Sequence, residues 1–210
     1  MTRRSVLGAA AVLAAVTAPS TPGVAADPAA FIAGLGAQLQ IVARNVPSDQ
    51  RPAEFRQLFD QDFDMPAIAH FVFGRYWQIA TALQQQELLA VFEDYLVSTY
   101  GDRLSAYADS GRAPIVIGSR PIEDGALVSS EVIFGRNPTQ GGRGAPLASI
   151  RVDWRLAEAG GAYKITDVIV DGVSMAITQR SEFAGEIQRQ GGQVPALVDM
   201  LREETAGTAR

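Results

Sequence analysis

Cysteine is absent from the 210 residues, histidine occurs once, as His70, and lysine once, as Lys164. The missing thiols exclude disulfides, thiolate nucleophiles and Cys-ligated zinc together, and a single imidazole excludes a His-rich metal site. Basic charge is almost all arginine, spread along the chain without a cluster, and 18 basic against 23 acidic groups leave a formal charge of −5. That distribution excludes a nucleic-acid-binding footprint. With 47% hydrophobic and 20% charged residues, the composition is that of a globular domain and excludes collagen, coiled coil and intrinsic disorder.

What is present begins with an address. Arg3-Arg4 precede an apolar run from Gly8 to Ala18, and Val24-Ala25-Ala26 stand before Asp27. A basic pair, a run too short to span a bilayer and small residues at the end spell a cleavable export signal over residues 1–26. Thr2-Arg3-Arg4 with Leu7 also fits a twin-arginine signal, so the export route stays open. Removing these residues takes away two arginines and moves the formal charge from −5 to −7.

Residues 27–110 read as mainly helical. Apolar side chains recur three and four apart, as in Phe55, Leu58, Phe59 and in Leu88, Val91, Phe92, Tyr95, Leu96, and each such face must be buried. Pro52 suits a first helical turn, Asp64 caps Met65-Pro66-Ala67, and Thr81 with Gln84 forms a capping box opening a long helix. Over residues 111–172 the period becomes two. Ala148, Ile150, Val152, Trp154 and Leu156 alternate with Ser149, Arg151, Asp153 and Arg155, and similar runs lie at 115–119, 126–134 and 163–170. Four strands in succession predict an antiparallel meander, with a hairpin loop at 137–144. Residues 173–206 then give two C-terminal helices, the first capped by Ser174 and stopping near Gly191-Gly192, the second covering Val194 to Glu204. The order helices, strands, helices defines an α+β fold. A solid helix-on-sheet core and a sheet curled around an apolar cavity are both compatible with the periodicity.

Motifs for chemistry are weak. Gly172-Val173-Ser174-Met175-Ala176 has the outline of a nucleophile elbow, but His70 lies far upstream rather than after the serine, and a helix cap accounts for Ser174. Asp60, Asp62 and Asp64 are spaced as in a calcium loop, yet Met65 and Phe71 occupy the positions that need Gly and Glu. Gly34-Leu35-Gly36 lacks a third glycine, and Gly141-Gly142-Arg143-Gly144 lacks the Lys-Ser/Thr of a phosphate loop. No motif implies a cofactor, and His70, within an apolar stretch, reads as a packing residue.

Three stretches in this order resemble the MlaC, or toluene-tolerance Ttg2, family of periplasmic phospholipid-binding proteins. They are Phe73-Gly74-Arg75-Tyr76-Trp77 leading through Ala80-Thr81 and Gln85 to Phe92, Tyr95-Leu96 and Tyr100-Gly101; Val152-Asp153-Trp154-Arg155-Leu156 with Tyr163-Lys164-Ile165; and Asp167-Val168-Ile169-Val170-Asp171-Gly172-Val173-Ser174-Met175 followed by Thr178 and Arg180-Ser181-Glu182-Phe183. The resemblance implies one lipid-binding domain over residues 27–210, with a curved, NTF2-like antiparallel sheet and helices enclosing a pocket for acyl chains. It also implies a monomeric, non-enzymatic periplasmic carrier of phospholipid, or of a hopanoid or other isoprenoid lipid in a related branch. Its partners would be an inner-membrane ABC transporter complex and an outer-membrane lipoprotein complex.

On this reading the tails lie between the sheet, through Val132, Phe134, Ile150, Val152, Trp154 and Val168, and the helices, through Tyr76, Phe92, Leu96 and Tyr100. Val173 and Met175 at the strand-to-helix corner complete the site, and Arg75 is either a headgroup contact or a structural ion pair. Plain core packing is the alternative for each apolar residue. Two rivals remain: a cavity enzyme using Asp153 or Asp167 as a poised acid, and an interaction module with a filled core.

Overall fold

The computed structural model describes residues 27–109, 112–133, 149–189 and 191–208. The expected export signal, Phe134 and the expected 137–144 loop lie outside the described residues. Five helices come first: α1 (Pro28–Asn45), α2 (Arg51–Asp62), α3 (Met65–Phe73), α4 (Arg75–Ile79) and α5 (Ala82–Asp109). They are followed by β1 (Ile115–Ile122), β2 (Gly125–Ile133), β3 (Ser149–Ala159), β4 (Ala162–Val170) and β5 (Val173–Ser174), then by α6 (Met175–Arg189) and α7 (Val194–Thr208).

The helices start where the side chains satisfy free backbone N–H groups. Asp27 accepts from Ala29 N at 2.9 Å and Asp64 from Ala67 N at 3.0 Å. Thr81 and Gln84 form the reciprocal box, at 2.9 and 3.3 Å. Helix ends are held as deliberately. Buried Arg51 donates to the carbonyls of Val46 and Ala43, closing the α1–α2 corner. The only lysine, Lys164, donates from β4 to the carbonyls of Asp60 and Gln61, where a cation suits the α2 C-terminus.

The sheet is an open antiparallel meander in the order β1-β2-β3-β4-β5. Four of its strands are those expected. The fifth, β5, was not, because a two-residue strand is too short to show a period; it pairs with β4 across the Asp171-Gly172 turn, whose φ values of 46° and 85° suit Asp-Gly. The last helix runs to Thr208 rather than Glu204. In β4 the register slips: Arg155 faces Asp167, the next residue Leu156 faces Ile165, and Thr166 is the extra residue of a bulge. The bulge changes the phase of the strand, so that Ile165 before it and Val168 and Val170 after it all reach the helical side.

Two apolar cores result. In the first, α1 and α2 lay Ile32, Leu35, Leu39, Phe55 and Leu58 against Val128, Val132, Val152, Leu156 and Ile165 of the sheet. In the second, α3 to α7 enclose an aromatic cluster in which Phe73 packs edge-on to Phe92 at 5.1 Å and stacks on Phe183 at 5.8 Å. Phe63 and Leu104 touch both.

The approach of α1 to the sheet depends on Gly36. A Cβ there would stand 2.2 Å from Pro114 Cδ, and the proline ring, fixed to the backbone, cannot swing away. Gly36→Ala is therefore expected to destabilise the protein by about 1–3 kcal/mol through overpacking, read as a lower urea midpoint; Gly34→Ala, with open space around it, should be neutral or stabilising.

Candidate functional site

Between the two cores lies a cavity of about 390 Å³, within the range of small-molecule sites. One wall is α1 and α2, through Ile32, Leu35, Leu39, Phe55, Leu58 and Phe59; another is the sheet, through Val132, Ile150, Val152, Trp154, Val168 and Val170; Leu96, Tyr100, Arg103 and Leu104 of α5 and Met175, Ala176 and Gln179 of α6 close it. Ile150, Trp154, Val168, Val170 and Leu96 are only half-buried although they face inward. Four of them also pack against the edges of the two cores, and their remaining surface is open to the hollow.

Eight of the twelve residues expected to hold tails line this cavity: Leu96, Tyr100, Val132, Ile150, Val152, Trp154, Val168 and Met175. Phe134 lies outside the described residues. Three others must be reassigned. Tyr76 and Phe92, 4% and 1% exposed, belong to the aromatic core of α3 to α7 and do not reach the cavity. Their faces on α4 and α5 are turned toward α6 and α7, which the helical period alone does not distinguish from the sheet. Val173, 57% exposed, pairs with Val170 at the short edge strand β5 and does not line the cavity. Arg75 is also remote: its guanidinium bonds the Tyr76 hydroxyl at 2.6 Å and lines a separate cleft of about 260 Å³ beside Arg180.

The wall missed by the sequence reading is the N-terminal one. Ile32, Leu35, Leu39 and Val42 are spaced as one helical stripe, and that stripe was the available signal.

Polar groups are few among the lining residues: Tyr100, Arg103, Trp154, Asp167 and Gln179. The Trp154 indole N–H donates to Ser130 Oγ at 2.9 Å, and fully buried Ser130 donates on to Val152 O, which fixes the ring. Gln179 Nε2 donates to the Tyr100 hydroxyl at 3.2 Å, with the Arg103 guanidinium 5.9 Å from the centre of the Tyr100 ring. Burial pushes the Tyr100 phenol above its ordinary value, an effect that outweighs the opposing pull of Gln179 and Arg103. The phenol therefore stays protonated at neutral pH.

Neither carboxylate considered for acid–base work stands ready in the cavity. Asp153 is on the opposite face of β3 from Trp154, bonded to Ser129 Oγ and to Arg151. Asp167 accepts from Ser174 Oγ at 2.6 Å and from Ala176 N at 3.0 Å, and Ser174 Oγ in turn accepts from Ile177 N at 3.1 Å. Ser174, the candidate elbow nucleophile, is thus a helix cap bonded to a carboxylate, and no group of three or more His, Asp or Glu among the described residues could hold a metal ion.

Fold and site together define an α+β protein built around an apolar hollow under an open antiparallel sheet. The MlaC protein family model matches residues 39–203, and the chain belongs to the MlaC family. It is 30% identical to the toluene tolerance protein Ttg2D of Pseudomonas putida over 132 residues, 63% of this chain and 56% of that protein's length; the match thus spans little more than half of that relative. A phospholipid-binding protein from Ralstonia solanacearum, solved in complex with a phospholipid, has the same fold, with a TM-score of 0.66 at 23% identity over 88% of this chain and all of that one. Among the described residues no helix is long and apolar enough to cross a membrane.

Asp167 joins the cavity wall to the start of α6. Asp167→Asn removes one acceptor and the charge at that helix N-terminus, and is expected to cost about 1 kcal/mol, measured as a downward shift of the urea midpoint with the far-ultraviolet spectrum retained.

Proposed function

We propose that this protein is a periplasmic carrier that holds the acyl chains of a phospholipid in the cavity between α1, α2, α5 and the sheet, and conveys the lipid between an outer-membrane lipoprotein complex and an inner-membrane ABC transporter. The observation that carries the reading is the apolar lining of the 390 Å³ hollow, polar at only a few places. Membership of the MlaC family and the phospholipid bound by the Ralstonia solanacearum protein support it.

The physical problem such a carrier solves is exposure of hydrocarbon. Each methylene in water costs about 0.8 kcal/mol, so a sixteen-carbon chain costs on the order of 12 kcal/mol. A wall of Val, Ile, Leu and Phe replaces the bilayer contact during transit. Exposed Arg103 at the rim suits a phosphate left near solvent. No covalent step is required; release needs only a partner with a competing apolar site, and direction follows from relative affinities or from the partner's ATP use.

Native mass spectrometry of the protein recovered from its own periplasm tests this. Bound phospholipid is the expected result; a hopanoid would move the assignment to an isoprenoid carrier, and protein that stays empty even after incubation with vesicles would overturn it. Ile150→Trp and Val152→Trp, which fill the cavity, should reduce lipid occupancy severalfold while the circular dichroism spectrum persists. Stripping the lipid should lower Tm by about 5–10 °C, the shift expected when a ligand held at about a hundred times its Kd is lost from a domain of this size.

A further inference from the structure

Four buried side-chain oxygens among the described residues have no hydrogen-bond partner: Gln40 Oε1, Asp62 Oδ2, Thr99 Oγ1 and Gln179 Oε1. Only Gln179 lines the cavity. It is 5% exposed, and its Oε1 accepts from no donor of the protein. An unpartnered amide oxygen in such surroundings is destabilising, so its retention beside a cavity asks for a donor from the cavity's contents.

Gln179 Nε2 is committed to the Tyr100 hydroxyl at 3.2 Å, which leaves Oε1 as the open acceptor and the phenol hydrogen as an open donor. The two side chains, one from α5 and one from α6, present both polarities within the same part of an otherwise apolar wall.

We infer that the Gln179–Tyr100 pair is a hydrogen-bonding station for the linkage between headgroup and acyl chain, and that it selects lipids whose linkage carries a donor, a secondary amide or a free hydroxyl, over fully esterified ones. An amide linkage gives its N–H to Gln179 Oε1 and accepts the Tyr100 hydrogen at its carbonyl. A hydroxyl does the same with one oxygen. An ester satisfies only Tyr100 and leaves Oε1 buried and unpaired. This inference rests on the lipid-carrier reading above and refines the class of lipid carried.

The test is a competition on the delipidated full-length mature protein. Vesicles contain equal amounts of dipalmitoyl phosphatidylcholine and of its analogue in which the oxygen of one ester is replaced by N–H. Native mass spectrometry reads the ratio of the two bound lipids. The unaltered protein is expected to favour the amide about five- to tenfold, the effect of one additional satisfied hydrogen bond. Gln179→Met should bring the ratio near one, and Tyr100→Phe, which releases the amide of Gln179, should lower it as well. If Gln179→Met fails to fold, Tyr100→Phe carries the comparison. Equal uptake of the two lipids, a preference for the diester, or a ratio unchanged in the variants would overturn the inference while leaving the carrier intact. Uptake of neither lipid would overturn both.

Discussion

The structure turns on the incomplete fusion of two apolar cores. One is fixed by the aromatic cluster of Phe73, Phe92 and Phe183 among α3 to α7, the other by the packing of α1 and α2 on the sheet, and among the described residues they share only Phe63 and Leu104 as partly buried members. Each is dense enough to hold its own elements. The space between them is lined on the sheet side mostly by valine and isoleucine, and the large side chain there, Trp154, is tied to Ser130. When the hollow of about 390 Å³ is empty its apolar wall meets water, and a guest that covers the wall gains about 25 cal/mol for each Å² removed from solvent. The contents of the cavity and the stability of the chain are therefore one problem.

Much of the fold was legible from local signals. The caps at Asp64 and Thr81, the change from a period near 3.6 to a period of two, and the alternation around Trp154 are each consequences of short-range backbone chemistry. What escaped depends on relations between distant segments. The period of α5 places Leu88, Phe92 and Leu96 on related faces, yet the first two face α6 and α7 while Leu96 reaches the cavity. Only the arrangement of the neighbouring helices makes that distinction. The bulge at Thr166 was hidden for the same reason. The run Ile165, Val168, Val170 breaks a strict alternation, and the meaning of the break appears only when the facing strand is in place.

The polar groups at the cavity separate a binding site from a reactive one. A reacting centre needs an acid, base or nucleophile with capacity to spare, whereas the Asp167 carboxylate is occupied by Ser174 and by the first turn of α6. The resemblance of Gly172-Val173-Ser174-Met175-Ala176 to a catalytic elbow therefore comes from a shared need: a sharp strand-to-helix turn uses glycine and a capping hydroxyl whether or not chemistry follows. The lining groups with capacity left are Gln179, Tyr100 and Arg103.

The extra residue in β4 gives the cavity an independent adjustment. Upstream of Thr166 the strand contributes Ile165 to a packed interior, and downstream it contributes Val168 and Val170 to the hollow. Sliding the irregularity two positions toward the C-terminus would put Asp167 opposite Trp154 in place of Val168, without adding a strand or altering the meander order. Whether the wall opposite Trp154 is aliphatic or acidic is thus a matter of where a single surplus amino acid sits.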